Sequence, residues 1–291
     1  MALDAERVRV FVEVAHAGSI AAAAARMGFT PSALSQQLAK LEREVGVPLL
    51  ERGRAGTRLT GPGQVLLEHG ERVLGELRAA EEAVRAAAGA EPQRIAVGAF
   101  STAARTLLPR ALAALKEGRP GIRTSLVDIE PPEGYGLVAA RELDLLVTHR
   151  YPGVSLPAVR GLRRGLLLRD PLRLVLPRGH RLATVPEIAL ADLGDEDWVS
   201  GAPGVPNRVC LESLGQLRVA YETRDYEVTL ALVEAGLGVS LVPATMLAGR
   251  RAVVVRDLHG SAPVREVYAV HPPRPSAPVV DLLNRLRPTA P

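Results

Sequence analysis

The chain has 291 residues, 47% of them apolar, which suggests about two domains and supplies enough side chains for real hydrophobic cores. Its formal net charge is +4, yet residues 1–90 carry eleven Lys/Arg against eleven Asp/Glu, so overall charge names no partner. No apolar run approaches the ~20 residues that cross a bilayer, charge begins at Asp4 unlike a secretion signal, and the single Cys210 cannot close an intrachain disulfide. The expectation is a cytoplasmic protein with no membrane partner.

The first sixty residues read as three short helices and a hairpin. Leu3 to Ala15 places Val8, Phe11, Val12 and Ala15 at helical spacing, and Gly18 ends that helix. Ser19 caps the alanine-rich "SIAAAAARM", a thin helix that lets a neighbour approach closely, and Gly28 breaks it. Thr30 caps the third helix, with Pro31 at the first helical position, and Gly46 and Pro48 close it. In "TPSALSQQLAKLE", Leu34, Leu38 and Leu41 form an apolar stripe. Ser32, Gln36, Lys40 and Arg43 fall opposite, with Ser35 on the flank. Next, "PLLERGRAGTRLTGPG" reads as a β-hairpin around Gly53–Gly56, with Arg52, Arg54 and Arg58 within seven residues.

Two capped helices joined by a short turn make a helix-turn-helix, whose second helix enters the major groove. Short neutral groups suit the reading of base edges, since Gln pairs bidentately with adenine and Ser bonds either partner of a base pair. The candidate DNA contacts are therefore Thr30, Ser32, Ser35, Gln36, Gln37 and Lys40 on the helix, with Arg52, Arg54 and Arg58 on the hairpin for phosphates. Double-stranded DNA is the partner these residues predict.

A long helix is predicted from Thr60 and Pro62 to about Ala88. Leu66, Gly70, Val73, Leu77, Ala80 and Val84 alternate spacings of four and three, a seam that favours a partner helix. From Gln93 the texture becomes alternating strand and helix. "RIAVGAF" precedes a helix from Ser101 to about Glu117, followed by "IRTSLVDIE", a short helix and "LDLLVTH". The strands "LRLVLP", "DWVSG" and "RVAYET", a helix from Asp225 to Ala235, "GVSLVP", "RAVVVRD", "VREVYAV" and a last helix at about 279–286 complete it. Near-continuous apolar strands between helices predict parallel α/β sheets in two similar subdomains.

On these residues the sequence resembles the LysR-type transcriptional regulators. The match runs through Ser19, Ala23, Ala24, Met27, Ser35, Gln37, Leu38, Leu41, Glu42, Gly46, Leu49, Arg52, Leu59, Thr60 and Gly63. It continues in "LLPRALAAL", "ELDLLV", "DPLRLVLPRGHRLA", "DWVSG" and "EAGLGVSLVP". Leu50 stands where the family usually has Phe. The resemblance implies an α+β multidomain chain: a winged helix-turn-helix over 1–60, a dimerising linker helix over 61–90, and an effector domain over 91–291 like periplasmic binding proteins. Its subdomains would be 91–165 with 265–291, and 166–264. The resemblance also implies a homodimer or homotetramer that answers to a small molecule.

Ligands of open α/β sheets lie beyond the carboxyl ends of the strands. That rule selects Ser101 and Thr102 after the first strand, Thr148 after "LDLLV", Ser200 and Gly201 after "DWV", and Thr223 after "RVAYE". Helix N-termini there would favour a small polar or anionic effector, with Arg150 or Arg224 as counter-charge. No catalytic constellation emerges. "GLGVSL" lacks the third glycine of a dinucleotide fingerprint and follows a helix, "GRAGTRLTG" lacks a phosphate-loop lysine, and the six histidines show no metal spacing. Cys210 and Trp198 read as core, His180 as a loop residue. No enzyme, cofactor or metal is expected. The alternative is a solute-binding protein with a helical extension, which leaves the three hairpin arginines without a role.

Overall fold

A computed structural model describes residues 3–53, 56–88, 94–157, 161–250, 252–260 and 262–287. The chain forms two compact units, Met1–Pro92 with Gly136–Glu142, and Gln93–Tyr135 with Leu143–Pro291.

In the first unit, α1 (Ala5–Ala17) opens where the Asp4 carboxylate accepts from the Arg7 amide, two residues later than predicted. It closes at Gly18, whose φ of 66° suits a residue without Cβ. α2 (Ile20–Met27) and α3 (Pro31–Val45) open on the Ser19 and Thr30 side-chain oxygens, which accept from Ala22 and Ala33 amides. Phe11 and the α3 stripe Leu34, Leu38 and Leu41 are almost wholly buried, each worth ~1.5–3 kcal/mol of burial. The small Ala23 and Ala24 share that core, so α2 packs close, as a thin helix should. β1 (Leu50–Gly53) and β2 (Gly56–Leu59) pair antiparallel, with Leu50 opposite Leu59 and Glu51 opposite Arg58.

α4 (Gly61–Ala87) is the predicted long helix, but its seam divides. A Cβ on Gly70 would lie 2.9 Å from Val8 Cγ1 and 3.1 Å from Val12 Cγ2, so glycine is where α1 crosses closest. Leu66, Leu67 and Leu74 join the same core. On another face of the helix, Val73, Leu77 and Val84 stay 51%, 47% and 70% exposed. Leu66 and Gly70 of the seam therefore pack on their own unit, and Val73, Leu77 and Val84 are left for another helix.

The second unit begins with β3 (Arg94–Ala99), α5 (Ser101–Thr106), α6 (Leu108–Gly118), β4 (Arg123–Asp128) and, after α7 (Gly134–Ala139), most of which belongs to the first unit, β5 (Leu145–Arg150). The single helix predicted over 101–117 is two, because Pro109 brings no amide hydrogen and its ring opposes the preceding turn. Then come β6 (Arg163–Pro177), β7 (Glu187–Ile188), β8 (Trp198–Ser200), α8 (Pro206–Glu212), β9 (Val219–Glu222) and α9 (Tyr226–Glu234). β10 (Ser240–Pro243), β11 (Val253–Leu258), β12 (Val264–His271) and α10 (Ala277–Leu286) end the unit.

One ladder runs β4-β3-β5-β12-β6-β11-β7, and β10 joins the far end of β6. Only part of it is parallel, contrary to the sequence expectation. β3 pairs parallel with β4 and β5, whereas β12 is antiparallel to both β5 and β6, and β10 and β11 are antiparallel to β6. A strand covered on both faces reads as one apolar run in either arrangement, so the pattern carries no direction. β6 is the device that joins two halves: residues 163–171 pair with β12, and residues 172–177 pair with β10 and β11. Each half keeps its own core, one around Leu108, Leu115, Leu145 and Val147, the other around Leu174, Leu176, Leu193 and Trp198.

Candidate nucleic-acid interface and ligand crevice

α3 presents Thr30, Ser32, Gln36, Gln37 and Lys40 as exposed residues, with Ser35 half-buried. The Thr30 hydroxyl does double duty, capping the helix and bonding the Ser32 hydroxyl at 3.0 Å. Arg43 folds its Nε onto the Ala39 carbonyl at 3.2 Å. Beside Thr30, Phe29 is 47% exposed, an aromatic ring at the turn to which the sequence reading gave no role. In the hairpin, Arg58 is exposed and sits across from Glu51, and Arg52 sits across from Thr57. Arg54 lies outside the described residues.

What holds hairpin and helix together is Glu42. Its Oε1 accepts from the Leu49 and Leu50 amides at 2.8 and 3.2 Å, tying α3 to the start of β1. Thr60 continues the tie: its hydroxyl donates to the Pro48 carbonyl at 2.8 Å and accepts from the Gly63 amide at 3.0 Å. A Cβ on Gly63 would lie 2.1 Å from the Leu49 carbonyl oxygen, so α4 can start there only with glycine. The hairpin is thus set at a fixed angle to α3 by four polar contacts and one missing side chain. The Thr57 amide anchors the second strand to the Gly18 carbonyl at 3.0 Å.

The second candidate site is the seam between the halves of the C-terminal unit, where β6 passes from one to the other. Arg265 of β12 is only 2% exposed; its guanidinium bonds Asp170 Oδ2 at 2.7 Å and the Thr102 hydroxyl at 2.9 Å. Asp170, 1% exposed, also accepts from the Thr245 amide and hydroxyl at 3.1 and 2.7 Å. Asp170 immediately precedes the point where β6 changes halves, so this cluster is the joint between them. Around it, Phe100 lies 5.1 Å from the guanidinium carbon and Tyr151 5.9 Å. The Tyr151 and Tyr226 hydroxyls bond each other at 2.7 Å, joining the end of β5 to α9. Burial holds the Tyr226 hydroxyl well above its ordinary pKa, so both phenols stay neutral. Farther out, Arg105 of α5 pairs with Glu227 of α9, which also holds Arg250.

His149 stacks edge-on against Phe100 at 4.5 Å and Tyr151 at 5.2 Å, and its Nε2 meets Glu130 at 3.1 Å. Burial pushes the imidazole below its ordinary pKa, Glu130 opposes that, and Arg265 adds to the fall. Against its own burial, Glu130 is held below the carboxylate range by His149 and by the Ser101 amide. At neutral pH this is an ionised carboxylate beside a neutral imidazole.

Of the crevice residues predicted from sequence, Thr102 enters this cluster, and Ser101 is exposed at the start of α5. Ser200, Gly201 and Thr223 form a separate group: the Ser200 carbonyl accepts from the Thr223 amide at 2.9 Å, and the Thr223 hydroxyl accepts from the Asp225 amide at 3.1 Å. Thr223 thus shapes the turn into α9. A Cβ on Gly201 would lie 2.4 Å from Asn207 Oδ1, and Asn207 reaches Tyr226, which links this group to the first. Thr148 is misplaced. Leu145 and Val147 face the core shared with α6, so Thr148 alternates to the opposite face, where its cross-strand neighbour is Tyr268. Arg150 is no counter-charge either, because its guanidinium pairs with Glu266, and Arg224 is exposed. The buried cation of this cluster is Arg265, one residue of the alternating strand "VREVYAV". Cys210 and Trp198 are fully buried, and burial pushes the thiol up to about 11, so it is core rather than nucleophile. His180 follows a turn, its Nδ1 accepting from the Leu182 amide.

Residues 5–64 match the family model described as bacterial regulatory helix-turn-helix protein, lysR family, and residues 88–291 match the LysR substrate binding domain. The chain is 34% identical over 201 residues to the small neutral protease regulatory protein of Streptomyces coelicolor, 68% of this chain but only 60% of that relative's length. It is 31% identical over 274 residues to the HTH-type transcriptional regulator CbbR of Xanthobacter flavus, covering 91% of this chain and 80% of the relative. Among solved structures, a full-length OxyR point variant from Pseudomonas aeruginosa superposes with a TM-score of 0.73 at 21% identity, covering 100% of this chain and 96% of that one. Among the described residues no helix is long and apolar enough to cross a membrane.

Proposed function

The chain belongs to the LysR family of bacterial regulatory helix-turn-helix proteins, and from that premise we propose that it is a sequence-specific regulator of transcription that answers to a small molecule. The observation that carries the reading is α3. It is a capped helix whose apolar stripe is fully buried and whose opposite face offers Ser32, Gln36 and Lys40 to solvent, with Gln37 exposed beside the stripe. In a major groove those groups meet base edges, while Arg52, Arg54 and Arg58 serve the phosphates. Phe29 joins them as an apolar contact for a thymine methyl.

In this reading residues 1–60 bind DNA, residues 61–90 link, and residues 91–291 bind the effector. The exposed Val73, Leu77 and Val84 seat the same helix of a second copy, giving a dimer or a pair of dimers. The effector enters the crevice around Thr102, Arg265, Tyr151 and Tyr226, with Ser101, Ser200 and Gly201 at its edges. The subdomain division expected at 165/166 moves to about 171/172, because Leu167 packs in the core of the first half and Leu172 in that of the second. The cytoplasm is where such a protein meets DNA. A solute-binding protein with a helical extension gives no reason for the match over 5–64. A gel shift with the DNA upstream of its own gene, against random DNA of equal length, tests the proposal. Sequence-selective retardation at physiological salt is the expected result, and equal retardation of both would reject it.

A further inference from the structure

Granting that the crevice is the effector site, its leftover atoms say what class of molecule fits. We propose that the crevice takes an uncharged ring bearing a hydroxyl or a primary carboxamide, held between His149 Nδ1 and Arg265 Nε. These two atoms are buried and have no hydrogen-bond partner among the described residues, on residues 7% and 2% exposed. Both side chains border the same two rings, Phe100 and Tyr151. A buried polar atom without a partner is costly, so two of them on one aromatic pair mark a place for a guest.

Donor and acceptor roles decide the class. Glu130 is an ionised carboxylate beside His149 Nε2, so Nε2 carries the hydrogen and Nδ1 is left with a lone pair. Nδ1 therefore asks for a donor, and the Arg265 Nε–H asks for an acceptor. A hydroxyl is both at once, and a carboxamide supplies one of each. A carboxylate is acceptor only and would set its lone pairs against that of Nδ1. Charge points the same way. Arg265 is already matched by Asp170, which is 1% exposed and held by Thr245 as well. Drawing Arg265 away to a ligand anion would leave that carboxylate buried and unpaired. The remaining walls, Phe100 and the neutral Tyr151 and Tyr226, suit a ring. Both target atoms are covered in this structure, so the guest reaches them only when the side chains around them move.

The test uses the full-length protein with phenol, benzamide and benzoate as probes, titrated calorimetrically while the imidazole nitrogens of His149 are followed by 15N NMR. Phenol and benzamide should bind about tenfold more tightly than benzoate, the worth of one good hydrogen bond, and should move the Nδ1 resonance. His149→Phe should lower phenol affinity about tenfold; the wild-type resonance gives the answer should that variant fold poorly. Benzoate binding tighter than phenol, with the His149 signal displaced, overturns the ligand class and leaves the crevice standing as the site. No displacement by any probe overturns both.

Discussion

The face of α3 and the crevice are built from similar polar groups and use them in opposite ways. On α3 the Ser, Gln and Lys side chains stand on a helix whose other side is wholly buried, and they turn outward. In the crevice Thr102, Asp170, Thr245 and Arg265 turn inward and satisfy one another. A polar face left toward solvent on a rigid helix works by what it meets outside. A polar cluster closed on itself works first by holding its own geometry, and only the atoms it leaves over can meet a ligand. The two regions should therefore fail differently when single side chains are removed.

The largest loss belongs to the crevice. Asp170→Ala leaves the Arg265 guanidinium buried without its anion and should cost ~3–5 kcal/mol of stability in urea unfolding. Replacing both partners by apolar residues, Asp170→Leu with Arg265→Met, should recover most of that loss. If Asp170→Ala costs under about 1 kcal/mol, the cluster does not hold the two halves and the contrast with α3 collapses.

Next is Glu42, which lies on α3 yet faces inward like a crevice residue. Glu42→Ala strands the Leu49 and Leu50 amides and should cost roughly 3 kcal/mol, two hydrogen bonds to a charged group. Because the hairpin loses its set angle, affinity should fall alike for operator and random DNA in fluorescence anisotropy. A loss confined to the operator would make Glu42 a base-reading residue instead.

These two residues also show where sequence reading stops. The three helices of the first unit could be placed because their signals are local: Ser19, Thr30 and Pro31 at the starts, Gly18, Gly28 and Gly46 at the ends. The face of α3 followed from periodicity alone. Arg265 and Asp170 are 95 residues apart, and nothing near either one announces the other. Thr148 went to the wrong face because Leu145, Leu146 and Val147 before it are all apolar, so the strand carries no alternation to reveal which side is which. Strand direction was lost for the same reason. Gly63 and Gly70 were visible as glycines but not as close approaches, which need the neighbouring backbone or side chain to be known.

On the outward face the expected effect is smaller and selective. Gln36→Ala should leave stability within ~0.5 kcal/mol, as surface changes do, and lower operator affinity by ~1–3 kcal/mol with little change on random DNA. Equal losses on both DNAs would reduce α3 to a charged-surface contact and remove the basis of the comparison.

The smallest effect lies at a joint that is neither outward nor fully closed. His16, at the end of α1, bonds Glu71 of α4 at 2.7 Å, both side chains being mostly buried at 20% and 15% exposure. The hydrogen bond to Glu71 raises the imidazole pKa above its ordinary 6.5, and burial opposes the rise without cancelling it. The folded protein therefore binds this proton more tightly than the unfolded chain. Its stabilisation is fully present below the unfolded value and disappears as pH rises through the folded one. Between about pH 6 and 8 the wild type should lose stability relative to His16→Gln, by less than about 1 kcal/mol for one partly exposed pair. Glutamine can still donate to Glu71 but does not titrate, so it isolates the proton from the contact. Parallel unfolding curves for the two proteins across that range, with a constant offset, would show that His16 keeps one protonation state throughout.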